Sequence, residues 1–178
     1  MSTVKTTNLQ HASAGSPAIV LDAAGDATYA GTHDFSAATV TGVGKVLQVV
    51  RATDTTSRVT SSASFVDVTG MTVTITPQKS TSAILIMSLF LGWANGSNPV
   101  GEFAITDSSN NLISGAENGQ LSGVLSDLRV SVCLVGYATP ATTSATTYKL
   151  RFRQGASTST TIRNDLQTGQ IYAIEVAA

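Results

Sequence analysis

Along the stretch from Gly44 to Pro77 the chain passes from a short apolar run, Val46 to Val50, through a Ser/Thr patch into strict alternation. Met71, Val73 and Ile75 fall on one side of that alternation, and Thr72, Thr74 and Thr76 on the other. A period of two is that of a half-buried β-strand. The same patterning predicts strands at Val46–Arg51, Ser64–Val68, Thr72–Thr76, Ala83–Leu91, Gly101–Thr106, Leu112–Ser114, Arg129–Tyr137, Thr147–Arg153, Ser159–Ile162 and Ile171–Val176. Turn chemistry separates them at Asn95-Gly96, at Asp107 to Asn111 and at Asn118-Gly119. Pro77 and Pro140 fall at strand ends, where a missing N–H does no harm. Turns spaced about eight to twelve residues apart predict an all-β sandwich or barrel. One segment departs from the pattern: Leu121, Val124, Leu125 and Leu128 have helical spacing and predict a turn or two of helix.

The apolar run Ala83 to Leu91 is about half the length that a membrane-spanning helix needs, so it predicts a strand buried on both faces rather than membrane insertion. Residues 1–43 read differently. They are rich in Ala, Gly, Ser and Thr, with Ile19, Val20, Leu21, Tyr29 and Phe35 as the large apolar exceptions. Such a segment buries too little apolar surface to offset its ordering entropy. It is expected to be an extended arm held by neighbouring copies or by another protein, with Ile19, Val20, Leu21 and Phe35 as the contacts. Asp22 to Asp26 reads as a turn between two short strands, and Gly42 to Lys45 as a hinge between the arm and a domain of residues 44–178.

Hydrophobic residues make up 42% of the 178 residues and charged ones 12%, roughly half of what soluble domains usually carry. Hydroxyl side chains take the place of charge, as suits strands that face water. With a net charge of −1 there is no basic stripe to neutralise phosphates, so nucleic acid is not an expected partner. Cys133, the sole cysteine, lies among apolar neighbours and is expected to be buried. His33 and Asp34 are adjacent and would point to opposite faces of a strand, which does not build a triad. Asp22, Asp26 and Asp34 lack the spacing of a calcium loop, and Gly42 to Lys45 lacks that of a phosphate loop. Glu102, Glu117 and Glu175 sit on separate segments, unlike the paired acids of a glycosidase. No catalytic residue, metal site or cofactor is therefore expected. Recognition is expected in turns that join an aromatic to amides, with Trp93, Asn95, Asn98, Asn110, Asn111 and Asn118 as the candidates for a surface glycan.

Several motifs carry a resemblance. GKVLQVV from Gly44, SASFVDVTGMTVTITPQKSTSAILIMSL from Ser62 to Leu89, ATPATTSATTYKLRF from Ala138 to Phe152 and IYAIEVA from Ile171 occur in this order. The order resembles that of the C-terminal domains of bacteriophage tail-fibre proteins. There a Ser/Thr loop and strands follow the opening strand, and a short strand carrying a glutamate closes the domain. Asn8 to Gly31 is similar to the arms that open many such proteins in phages of aquatic bacteria. The resemblance implies a virion protein made in the bacterial cytoplasm. It would be a homotrimer with an N-terminal attachment arm and a jelly-roll-like antiparallel β-sandwich head. Its role would be a short tail fibre touching the host surface, joined to other virion proteins. The alternative is a trimeric capsid decoration protein clamped on the capsid through its arm.

Overall fold

The computed structural model of the protein describes residues 8–9, 19–21, 27–29, 45–124, 127–156 and 158–177. The chain divides into two units, Met1–Val43 and Gly44–Ala178. In the first, β1 (Asn8–Leu9), β2 (Ile19–Leu21) and β3 (Ala27–Tyr29) form a small antiparallel sheet in which β2 is central. Leu21 stands opposite Ala27. Ile19, Val20 and Leu21 make up β2, whereas Phe35, His11 and His33 lie outside the described residues.

The second unit is all-β and sandwich-like. Its strands are β4 (Val46–Asp54), β5 (Ser57–Thr60), β6 (Val66–Ile75), β7 (Ala83–Asn95), β8 (Val100–Asp107), β9 (Gly119–Ser122), β10 (Asp127–Ala138), β11 (Thr146–Gln154), β12 (Ser159–Arg163) and β13 (Gly169–Val176). One sheet holds β10, β7, β13, β4, β12 and β5; the other runs β6-β11-β8-β9. All the pairings are antiparallel.

β7 organises the first sheet. β10 pairs along it from Ile84 to Asn95 and so occupies one whole edge. The other edge is shared: β13 pairs with Ala83 to Leu89 and β12 with Gly92 to Asn95. β4 and β5 repeat the division one strand further out. At the jog between the two halves Asn164 Nδ2 donates to Asp54 Oδ2 at 2.9 Å in a buried contact, and Arg58 Nη2 lies 3.4 Å from Asp54 Oδ1. Two glycines leave room for this cluster. A Cβ on Gly70, whose φ is +93°, would fall 2.6 Å from Asp54 Oδ1, and one on Gly169 would fall within 2.5 Å of the Asn164 amide. A side chain at either position would displace the polar contact or strain the backbone.

The core lies between the sheets. Ile84, Ile86, Phe90, Ile162 and Ile171 from the first sheet meet Met71, Val73, Phe103, Ile105, Leu150 and Phe152 from the second. Phe90 and Phe103 stack at 4.8 Å between centroids with the rings tilted by 54°. Each of these large side chains contributes about 1.5–3 kcal/mol by leaving water. The alternation in β6 is as predicted, with Met71, Val73 and Ile75 buried and Thr72, Thr74 and Thr76 exposed.

Four expectations are corrected. Ser64–Val68 and Thr72–Thr76 are one strand, β6, which continues through Gly70 in its positive-φ conformation. Leu121 belongs to β9, opposite Gly101 and buried, Leu128 belongs to β10, Val124 is exposed between them and Leu125 lies outside the described residues, which contain no helix. Leu112 and Ser114 make isolated bridges rather than a strand. Cys133 is exposed, because its odd position puts it on the outer side of β10 while Leu134 and Gly136 face the core.

Glu175 is an internal carboxylate, fully buried in β13. It accepts hydrogen bonds from Gln48 Nε2 at 2.6 Å and from the backbone N–H groups of Gln78 at 2.8 Å and Lys79 at 3.3 Å. It thereby ties the β6–β7 connection to β4 and β13. Burial, the largest single influence, pushes its acidity toward the neutral form, but the donors together outweigh it and hold the carboxyl below its ordinary 4.5. A depressed folded value means that the stabilisation is complete above the ordinary value and is lost as pH falls through the folded one. Glu175→Gln is expected to cost about 2 kcal/mol at neutral pH, since an amide presents N–H where only acceptors fit. In denaturant titrations the gap between variant and parent should narrow below pH 4.5. A gap that stays constant down to about pH 3 would contradict this.

Candidate functional site

Antiparallel strands divide the loops of the second unit between two ends. The loop after β7 lies at the end where β8 begins, and the turn Asp107 to Asn111 where β8 finishes. Asn95 and Asn98 are exposed at the first end, where Asn98 has a φ of 51°. Asn110, with a φ of 69°, and Asn111 are exposed at the second. Asn118 is exposed just before β9, whose first residue Gly119 stands opposite Phe103 in mid-β8. The sequence-predicted candidates are therefore not one site: the fold separates Trp93, Asn95 and Asn98 from Asn110 and Asn111.

Trp93 stands in β7 itself rather than in the loop after it. Its cross-strand partners are Arg129 and Thr161. The Arg129 guanidinium lies over the indole at 4.7 Å and that of Arg163 at 5.4 Å from the centroid. Arg163 is itself held by both oxygens of Asp165, each at 3.0 Å. Cations occupy the ring where a sugar would stack.

The second end carries a cleft of about 360 Å³ between the β8 turn and the β10–β11 connection. Asp107 and Ser108 form one wall, Pro140 and Thr142 the other, and Tyr148 and Ile113 line it from within the core. Asp107 Oδ1 accepts the backbone N–H of Ser109 at 2.8 Å and of Asn111 at 2.9 Å, and Oδ2 accepts the Asn111 amide at 2.8 Å. This rigid Asx-type turn sets the wall. Burial, the largest single influence, pushes the Asp107 pKa up, yet these donors, with Asn111 foremost, hold it below the ordinary value. On the opposite wall Ala141 has a φ of 52°, an uncommon conformation for a residue with a Cβ. The Tyr148 side chain is 1% exposed and its hydroxyl has no hydrogen-bond partner. Burial, then the charge of Asp107, pushes its pKa up to about 12, so the phenol remains a donor at any physiological pH. Sequence reasoning missed Tyr148 as a site residue. The signal was a tyrosine on the inward phase of a strand just after the Ser/Thr-rich turn at Ala138 to Thr146.

A third feature is the outer face of the first sheet. Register aligns Val49, Ile174, Leu85 and Tyr137 across four strands, and Arg51, Tyr172, Met87 and Val135 in the next row. Leu89 and Cys133 continue the field. Val49 is 56% exposed and Tyr137 54%; the central side chains are half-buried by their neighbours. Arg51 is the charge among these ten, and it lies 5.7 Å from the centroid of the Tyr172 ring. Strand spacing makes the field roughly 330 Å², within the range of the largest patches that monomers leave uncovered.

Other charges are paired for structure: Lys149 and Arg151 hold Asp67 at 2.8 Å, and Arg153 holds Glu102 while lying over the Phe65 ring. Glu102 and Glu175 are thus committed, and Glu117 is exposed on a separate segment. Among the described residues no cluster of His, Cys, Asp and Glu is placed to hold a metal ion. No protein-family model matches the chain, and no curated protein is found to be similar to it.

Trp93 is expected to behave as a structural residue. Trp93→Ala should lower stability by about 2 kcal/mol in urea unfolding followed by circular dichroism, from lost burial and two lost cation–π contacts. A loss under about 0.5 kcal/mol would make the ring a surface platform instead.

Proposed function

We propose that the protein is a structural protein of a bacteriophage virion: a short tail fibre with a jelly-roll-like head that binds the host surface, assembled as a homotrimer. The apolar outer face of the first sheet carries this reading. Three rows of it hold one charge, and that charge is stacked on a tyrosine. A face of this composition is best covered by another copy of the chain, because a partner equally poor in charge desolvates nothing costly. The order of strands that resembles tail-fibre heads supports the phage assignment. So does the repeated passage of the chain between sheets, from β5 to β6, β6 to β7, β7 to β8, β9 to β10, β10 to β11 and β11 to β12, which suits a jelly-roll-like winding.

The division of the chain at residue 43 suits an attachment role for the first unit. It equally suits a second reading, a trimeric capsid decoration protein. An antibody label on intact particles, found at the tail or over the shell, separates the two.

Sedimentation equilibrium of the purified protein is expected to give about three times 18.3 kDa. Leu89→Lys, beside Cys133 in the last row of the apolar field, should give a folded monomer, since a lysine there must be desolvated at each contact. A parent chain that sediments as a monomer at micromolar concentration would overturn the assembly.

A further inference from the structure

We propose that the cleft beneath Tyr148 binds a neutral saccharide unit. The inference rests on the reading of the domain as a surface-binding head, and it names the ligand class and the end of the head that takes it. Three observations converge. The Tyr148 hydroxyl is buried and unpartnered, and Tyr148 is among the residues that line the cleft. A buried donor left unsatisfied costs about 1–3 kcal/mol, a cost that a ligand acceptor removes. The walls supply hydroxyls from Ser108, Thr142 and Thr146, and apolar surface from Pro140 and Ile113. Alternating hydroxyl and C–H surface is what a pyranose presents. The volume of about 360 Å³ falls in the range of small-molecule sites.

Charge selects within that class. No lining side chain is cationic, and the Asp107 carboxylate stands in the wall. Lys149, the cation whose charge reaches Asp107, directs its ammonium to Asp67 at 2.8 Å. An acidic sugar would meet a negative charge with no compensating cation, so the cleft discriminates against uronates and sialic acid. The rigid turn at Asp107 and the positive-φ Ala141 hold the two walls in place before any ligand arrives, which limits the ordering cost of binding.

The test is a methyl NMR titration of the full-length protein with glucose, galactose, rhamnose and N-acetylglucosamine, and with N-acetylneuraminic acid as the acidic comparison. At least one neutral sugar should shift the Ile113 and Ala145 methyl signals saturably, with the acidic sugar weaker. Tyr148→Phe should fold with unchanged or higher stability, because the hydroxyl it removes has no partner. It should weaken binding about tenfold. Ala145→Trp, at an exposed position of the rim, should abolish it. If no neutral sugar moves these signals, or if the shifts survive both substitutions, the cleft is not a saccharide site. Adsorption to host cells separates this failure from failure of the broader reading. A head that carries Ala145→Trp and adsorbs normally overturns the cleft alone. A parent protein that adsorbs to no host overturns the receptor-binding role, and the titration still judges the cleft by itself.

Discussion

Thirteen residues of β7 have to be paired on both edges, and that requirement shapes the rest of the head. β10 satisfies one edge with a single strand, and the other edge takes two short strands joined by a detour. The detour brings Asn164 inward against Asp54, with Arg58 alongside, so the join between the half-strands is a buried polar contact. Gly70 and Gly169 exist in their backbone conformations and positions to make room for it. With the jog in place, β12 sets Ile162 in the core and Arg163 over Trp93, while β13 sets Ile171 in the core and Glu175 against the β6–β7 connection. One pairing constraint therefore places both the apolar and the buried ionic contacts of the first sheet.

Much of this was legible where one face of a strand is polar. The alternation from Met71 to Ile75 named the buried side correctly, and β8, β11 and β13 were found with their bounds shifted by a residue or two. Legibility failed where local signals were ambiguous. Gly70 looked like a turn because a glycine between strands usually is one, and only the packing against Asp54 reveals it as a bend inside a strand. β5 is short and polar, so nothing in Ser57 to Thr60 announces it; it forms because β12 offers an edge. The site was less legible than the fold. Amide-rich turns were identified as exposed, but their division between two ends depends on strand direction, and the unpartnered hydroxyl of Tyr148 depends on depth.

The most instructive failure is at Ala83–Leu91, with the burial expected of Cys133 beside it. Continuous apolar runs predict burial on both faces. Within one chain Ile84, Ile86, Phe90 and Leu134, at even positions of β7 and β10, are buried in the core, whereas Leu85, Met87, Cys133 and Val135, at odd positions, face outward. A second copy on the outer face would restore the two-sided burial, so the mismatch between sequence pattern and isolated chain is the same fact as the apolar field from which assembly is proposed.

Cys133 sits in that field and is the sole thiol of the chain, which makes it a direct reporter. The decisive measurement is its rate of labelling by a maleimide in the native protein at micromolar concentration, set against the unfolded chain. The account predicts slow labelling of the native assembly that rises to the unfolded rate as Leu89→Lys disperses the copies. Complete native labelling at the rate of an exposed thiol would show the outer face to be open to water and would contradict the account.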